Sequence, residues 1–191
     1  MADAGRVIAG TARGLRLDAP GPGTRPIGDR VKQTLFAILD PDLPGARLLD
    51  LFAGSGAAGI EALSRGAAHA TFVERDPKAC TVIATNLART RLAGPAAVVV
   101  KADSAAWLAR PDAAAHAGPF DVVIADPPYD ELALLIRCLE ALGPWLAPNA
   151  RVVAKHFWRD PPPATIGLLA SERDRRFGET ALTFYRRQEA P

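Results

Sequence analysis

From residue 47 onward, short unbroken apolar runs alternate with stretches whose apolar positions recur every three or four residues. Five runs read as buried strands: 47–51, 70–74, 96–101, 120–125 and 151–154. Helices are expected between them, at 57–65, 77 to about 92, a short one through Trp107, and 131–142. Two later strands, near 166–170 and 180–185, bring the sheet to seven. Unbroken apolar strands separated by helices imply a mostly parallel α/β sheet covered on both faces. Such sheets bind ligands at the carboxyl ends of their strands.

Upstream, Arg6-Val-Ile-Ala and Leu15-Arg-Leu flank Gly10-Thr-Ala-Arg-Gly14, which reads as a hairpin at an edge. A Pro/Gly stretch, Pro20 to Pro26, precedes an amphipathic helix from about Gly28 to Leu39, with Val31, Leu35, Ile38 and Leu39 on one side. The division expected is one domain over 1–191, with hairpin and linker in 1–25 and helix plus core in 26–191. Because the sheet starts only at Arg47, the hairpin reads as an appendage separable from the fold.

A hydrophobic fraction of 49% with 23% charged residues suits a globular chain. No apolar run approaches the ~20 residues of a membrane span. Met1 to Arg6 lacks the apolar core of a signal peptide, so a cytoplasmic protein is expected. Cys80 and Cys138 have no metal-ligand spacing and read as free thiols, and His69, His116 and His156 suggest no metal site. Charge is uneven: residues 1–32 carry a net +3, residues 33–150 a net −4 and residues 151–191 a net +3. Basic ends around an acidic middle suit a protein that grips a polyanion and handles a cation, although solubility alone could produce the same pattern.

The first strand runs into Asp50-Leu-Phe52-Ala53-Gly54-Ser55-Gly56-Ala-Ala-Gly59, which opens the next helix. Its Gly-x-Gly-x-x-Gly spacing matches a dinucleotide fingerprint, with Glu74 near the distance of a ribose-binding acid, so a nicotinamide oxidoreductase competes. Asp50 argues against it, because a carboxylate there repels a pyrophosphate. S-adenosylmethionine instead presents a sulfonium and an ammonium, both cations, with a single carboxylate. Asp50 can meet the ammonium, the amides of the glycine turn can face the carboxylate, and Glu74 can accept from both ribose hydroxyls. Asp103 and Ser104, after the third strand, offer an acceptor for the adenine amine, although Asp103 also fits a helix cap.

The fourth strand ends in Asp126-Pro127-Pro128-Tyr129. Two prolines fix the backbone and free carbonyls from ladder pairing. The exocyclic amine of a nucleic-acid base is a poor nucleophile, because its lone pair is delocalised into the ring. Asp126 and the Pro127 carbonyl can accept from its two N–H groups and favour the pyramidal form, while Tyr129 stacks on an extruded base. The bland reading is a strand-ending turn with a buried tyrosine.

These residues identify a resemblance. The chain resembles the RsmD-type 16S rRNA guanine-N2 methyltransferases over nearly its whole length. The matching segments are Arg6 to Gly10, Arg13 to Leu17, Arg25-Pro26, Asp29 to Phe36, Asp50 to Gly59, Glu61 to Ala67, Asp126 to Tyr129, and Phe177 to Tyr185. The resemblance implies a Rossmann-like class I methyltransferase fold with S-adenosylmethionine as cofactor. It also implies methylation of N2 of guanine 966 in 16S rRNA within the small ribosomal subunit. Asp126 to Tyr129 would be the catalytic motif and the N-terminal hairpin would help recognise RNA. With the hairpin arginines Arg6, Arg13 and Arg16, the nearby Arg25, Arg30 and Lys32 become candidate phosphate contacts, and a monomer without membrane contact is expected. The chain departs from the family at Ile27-Gly28, where two threonines are usual, and at Lys155, where an acid is frequent after the fifth strand. Lys155 reads as a solvated lysine beside an aromatic cluster, with phosphate contact as the alternative. Two other functions compete: an adenine-N6 methyltransferase acting on DNA or RNA, and a non-catalytic RNA-binding assembly factor. At 191 residues there is little room for a separate target-recognition domain, and Asp126 argues for catalysis.

Overall fold

The computed structural model describes residues 2–21, 28–110, 112 and 117–189, so Arg25, Ile27 and His116 lie outside the described residues. A two-stranded antiparallel sheet, β1 (Ala2–Arg6) and β2 (Arg16–Ala19), comes first, followed by α1 (Asp29–Leu39). The core then alternates β3 (Arg47–Leu51), α2 (Ala57–Ser64), β4 (His69–Glu74), α3 (Pro77–Thr90), β5 (Ala97–Lys101), α4 (Ser104–Leu108), β6 (Phe120–Ala125), α5 (Leu132–Ala141) and β7 (Leu146–Phe157). It ends with β8 (Thr165–Ile166), β9 (Leu169–Phe177) and β10 (Thr180–Arg187).

These last strands join one sheet of order β5-β4-β3-β6-β7-β10-β9-β8. The pairs from β5 through β7 are parallel, and β10, β9 and β8 close the sheet antiparallel. Eight strands therefore stand where seven were expected. The segment expected as one strand over 166–170 turns back at Gly167, whose φ of +55° is left-handed, and so splits between β8 and β9. Strand order reverses between β3 and β6, so a crevice opens above their carboxyl ends.

Two cores cover the sheet. On one face α1, α2, α3 and the hairpin enclose Leu48, Phe72, Ile124 and Phe184; on the other α4 and α5 enclose Val73, Val123, Trp107 and Trp145. Trp145 is anchored there by its indole N–H, which donates to the Leu108 carbonyl at 3.1 Å. Burial of Cys138 in this second core pushes its thiol up to about 12, while Cys80 is only half-buried. Among the described residues no helix is long and apolar enough to cross a membrane.

The hairpin is neither at an edge of the main sheet nor separable. It forms its own sheet and lies across α2, and with the main sheet on the other side all eight residues of α2 are buried. The amides of Ile8 and Ala9 donate to the Glu61 carboxylate at 2.7 and 3.0 Å, and those of Thr11 and Ala12 to the carbonyl and hydroxyl of Ser64. Glu61 is fully buried, so losing these donors would strand a carboxylate in the core. Ala4, Val7, Ala12, Leu17 and Ala19 are all in the first core. At the far end Asn86 accepts from the Asp18 amide and donates to the carbonyls of both Asp18 and Ser55, tying β2 to the glycine loop. An Arg89 guanidinium hydrogen-bonded to Asp18 lowers that carboxyl below its usual range.

Gly10 sits where the hairpin meets α2, with φ +81°, and a Cβ there would fall 1.7 Å from the Ser64 carbonyl oxygen. Gly14 has a similar φ of +83° but open space around it. In urea denaturation, Gly14→Ala is expected to lose only the backbone strain, roughly 1–2 kcal/mol. Gly10→Ala should lose several kcal/mol, because backbone must move as well. Equal losses would contradict the close docking of hairpin on helix.

Candidate active site

The parallel strands carry their chemistry at adjacent carboxyl ends, around a cavity of about 450 Å³. Its walls include Asp50, Phe52, Ala53, Gly54 and Ser55 after β3, Glu74 after β4, Asp103 and Ser104 after β5, and Asp126 to Tyr129 after β6. Gly56 and Gly59 are not in its wall. Both shape the loop instead: Gly56 caps α2 in the left-handed region at φ +76°, and a Cβ on Gly59 would meet Phe72 at 2.2 Å. Gly59 is small so that α2 can lie against β4.

The glycine amides are also less available than the loop's composition suggests. Those of Gly54, Gly56 and Gly59 donate to Glu74, to the Ala53 carbonyl and to Asp50, respectively. Any ligand carboxylate must therefore use other donors. Phe52 takes φ +65°, a conformation that is strained for a residue with a Cβ and that recurs at functional loops.

The acids have distinct local partners. Asp50 is buried, and its carboxylate accepts from the Gly59 amide at 2.9 Å. Burial pushes its pKa well above the usual carboxylate range, the Gly59 hydrogen bond opposes this, and the charges of Asp126 and Glu74 add to it. Glu74 accepts the Gly54 amide with one oxygen and the Asp76 amide with the other, both at 2.8 Å, and so clamps the loop to β4. Asp103 caps α4 by accepting from Ala106 at 3.0 Å while still facing the cavity. Asp76, unanticipated from the sequence, also lines it. Five carboxylates thus face a space whose basic neighbours are Arg75 and Lys155. Such a wall favours a cationic ligand and opposes a pyrophosphate, which disfavors the dinucleotide reading.

Lys155 is neither solvated nor aimed at phosphate. It lies on β7, its side chain is 11% exposed, and its ammonium is paired with Asp126. The same Nζ is 4.9 Å from the centre of the Tyr129 ring. Asp126 is 17% exposed; burial raises its pKa, and the Lys155 charge and hydrogen bond pull it back. The Tyr129 hydroxyl is hydrogen-bonded to the Thr180 hydroxyl on β10, and its ring centre is 6.4 Å from that of Phe157. The one sign of Lys155 in the sequence was its position: a cation directly after the buried run 152–154, level with the other strand ends. Thr180 had none, since an antiparallel return of unknown register brings it there.

The proposed phosphate contacts divide. Arg13, Arg16 and Arg30 are exposed, but Arg16 is paired with Asp3 at 3.0 Å and Arg6 lies 3.8 Å from Asp29. Leu17 beside Arg16 is buried, whereas Leu15 is 40% exposed. Lys32 must be withdrawn: it is fully buried, and its ammonium donates to the Arg6 carbonyl. Burial lowers its pKa, with the nearby Glu61 opposing. Among the described residues no cluster of side chains could hold a metal ion.

A family model described as conserved hypothetical protein 95 matches residues 5–186. Ribosomal RNA small subunit methyltransferase D of Escherichia coli K12 is 38% identical over 186 residues, which cover 96% of this chain and 90% of the relative. The Bacillus subtilis protein YlbH is also 38% identical over 186 residues, 96% of this chain and 99% of the relative. The chain belongs to the ribosomal RNA small subunit methyltransferase D family. The solved structure of Escherichia coli yhhF superposes with a TM-score of 0.83 at 34% identity, covering 96% of this chain and 97% of that one. The fold is that of class I methyltransferases, and the chain is an enzyme of that kind.

Replacing Asp50 by Asn keeps an acceptor for Gly59 but removes the buried charge. A carboxyl whose folded-state pKa is raised incurs no ionisation penalty below its unfolded value near 3.8, and the penalty grows as pH rises toward the folded value. Thermal denaturation should therefore show ligand-free Asp50→Asn more stable than the parent, increasingly so from pH 4 upward. If Asp50 meets the ligand's ammonium, calorimetry at neutral pH should show S-adenosylhomocysteine bound to the variant about tenfold or more weakly, because a charge-assisted contact would be lost. A variant that binds as tightly as the parent would remove Asp50 from the ligand site.

Proposed function

We propose that the chain methylates N2 of a guanine in 16S rRNA, at position 966, within the small ribosomal subunit, using S-adenosylmethionine. The observation that carries this reading is the Asp126–Lys155 pair beside Tyr129 at the rim of an acid-lined cavity. When bound, S-adenosylmethionine supplies an electrophilic methyl group on a sulfonium, which leaves as the neutral thioether.

The residues divide the remaining work. Asp50, Glu74 and Asp103 give the cavity its preference for a cationic nucleoside. Tyr129, braced by Thr180 and Phe157, offers a face on which an extruded base stacks. Asp126 and the Pro127 carbonyl accept from the two N–H groups of the base amine and turn its lone pair toward the methyl carbon. As the N–C bond forms, positive charge develops on the amine, the Asp126 carboxylate stabilises it there, and one amine proton is then released to solvent to leave a neutral methylated amine. The Lys155 charge and hydrogen bond favour the ionised form of that carboxylate against the pull of burial.

Asp126→Ala should lower kcat by about a hundredfold or more while leaving S-adenosylhomocysteine affinity nearly unchanged. Lys155→Met removes the cation that lowers the Asp126 pKa and leaves burial to raise it unopposed. The acid limb of the kcat–pH profile should then move to higher pH. Methyl transfer to small subunits, to isolated RNA and to DNA checks both. Transfer to adenine in preference to guanine would redirect the reading to N6 chemistry, and Asp126→Ala turning over like the parent would overturn the mechanism.

A further inference from the structure

The basic residues expected to grip RNA are less free than the sequence suggested, whereas a second group near the active site is freer. Arg159, Arg173, Arg175 and Arg176 are exposed, and none pairs with a carboxylate among the described residues. Arginines of the neighbouring strands β7 and β10 are committed: Arg151 and Arg186 both pair with Glu172, and Arg187 donates to the Leu146 carbonyl. Nearby acids offer limited compensation, because Glu172 is engaged in this way and Asp174 accepts from Thr183; Asp160 and Glu179 remain exposed.

Trp158 organises this surface. The Arg176 guanidinium carbon lies 3.4 Å from the centre of the Trp158 ring, in van der Waals contact, and Arg176 Nε donates to the Gly178 carbonyl at 3.0 Å. Arg159 lies over the same ring at 5.0 Å. A guanidinium held against an aromatic ring is a flat cation that can stack on a base as well as meet a phosphate. Position links this surface to the catalytic motif. The Phe157 ring is 6.4 Å from Trp158 on one side and 6.4 Å from Tyr129 on the other, and the Trp158 amide donates to Glu179, next to the Thr180 that holds Tyr129.

We propose that Trp158, Arg159 and Arg176 on one face of the open edge, with Arg173 and Arg175 on the other face of β9, form a binding site for the single-stranded RNA flanking the target base, which runs along that edge. This rests on the rRNA reading above and deepens it. The competing account is edge protection: β8 pairs only with Leu169 and Ala170, so the rest of β9 has an open side, and charges there block strand addition. Edge protection needs a charge of any kind; it needs neither arginine in particular nor a tryptophan beneath it.

The experiment uses the full chain, a short single-stranded RNA oligonucleotide and purified small subunits, at several salt concentrations. The triple variant Arg173→Gln, Arg175→Gln, Arg176→Gln should bind the oligonucleotide less tightly. Its log affinity against log salt should flatten by about 2, at ~0.7 per lost contact to a single strand. Its melting temperature and S-adenosylhomocysteine affinity should stay close to the parent's, and its KM for small subunits should rise more than its kcat falls. Arg176→Lys, which keeps the charge, should preserve the salt slope yet still weaken binding. Trp158→Ala should weaken it about 5- to 100-fold through lost stacking. A triple variant with the parent's affinity and slope would overturn the site and leave edge protection. A parent that binds the oligonucleotide with the expected slope but methylates no RNA would overturn the rRNA reading while leaving this surface standing.

Discussion

Two carboxylates held out of water at neighbouring strand ends constrain everything around them. Asp50 on β3 pairs in register with Ile124 on β6, and the Asp126 amide reaches back to the Leu51 carbonyl, so both acids approach one cavity from the centre of the sheet. Burial disfavours the ionised form of each. Asp50 is relieved by the Gly59 amide, which requires α2 to start close above β3, which in turn requires a loop that turns through left-handed residues. Asp126 is relieved by Lys155, which requires β7 to run alongside β6 to its full length. Loop, helix and fifth parallel strand are thus tied to the burial of two carboxylates at the ends of neighbouring strands.

The hairpin belongs to the same economy of buried charge. Glu61 on α2 is completely buried, and its partners are two hairpin amides and Arg65. Lys32, equally buried, closes the group through the Arg6 carbonyl. Polar burial of this kind is tolerated only when every member is satisfied, which fixes the hairpin to α2 more firmly than an apolar contact would. Asn86 carries that rigidity to the glycine loop, because one side chain binds both Asp18 and Ser55. An element that reads as an accessory is therefore part of what holds the site in shape.

Unpaired positive charge is spread unevenly over the two ends of the chain. The N-terminal arginines are partly neutralised by Asp3 and Asp29, while those of β9 stand unpaired by carboxylates beside an aromatic row leading to Tyr129. Net charge alone, +3 at each end, does not distinguish them. What distinguishes them is whether an acid lies within reach, and that is a property of register.

Local order was legible in the residues. The alternation of apolar runs and helical periods specified five parallel strands in sequence, since period and run length reflect which faces a segment buries. That the acids and the Asp126 to Tyr129 run would meet around one cavity was readable because each lies at the end of a buried strand, and strand ends converge in a parallel sheet. Tertiary structure decided what depends on distance between remote segments. It turned Lys32 from a phosphate contact into a buried donor and Lys155 from a solvated side chain into the partner of Asp126. It also made Gly59 a packing residue and used the glycine amides before any ligand could. A lysine reads the same in one dimension whether it meets water, a carbonyl or a carboxylate. Only the folded chain sets which of these lies within about 3 Å, and at that distance the interaction is strong enough to decide the residue's role.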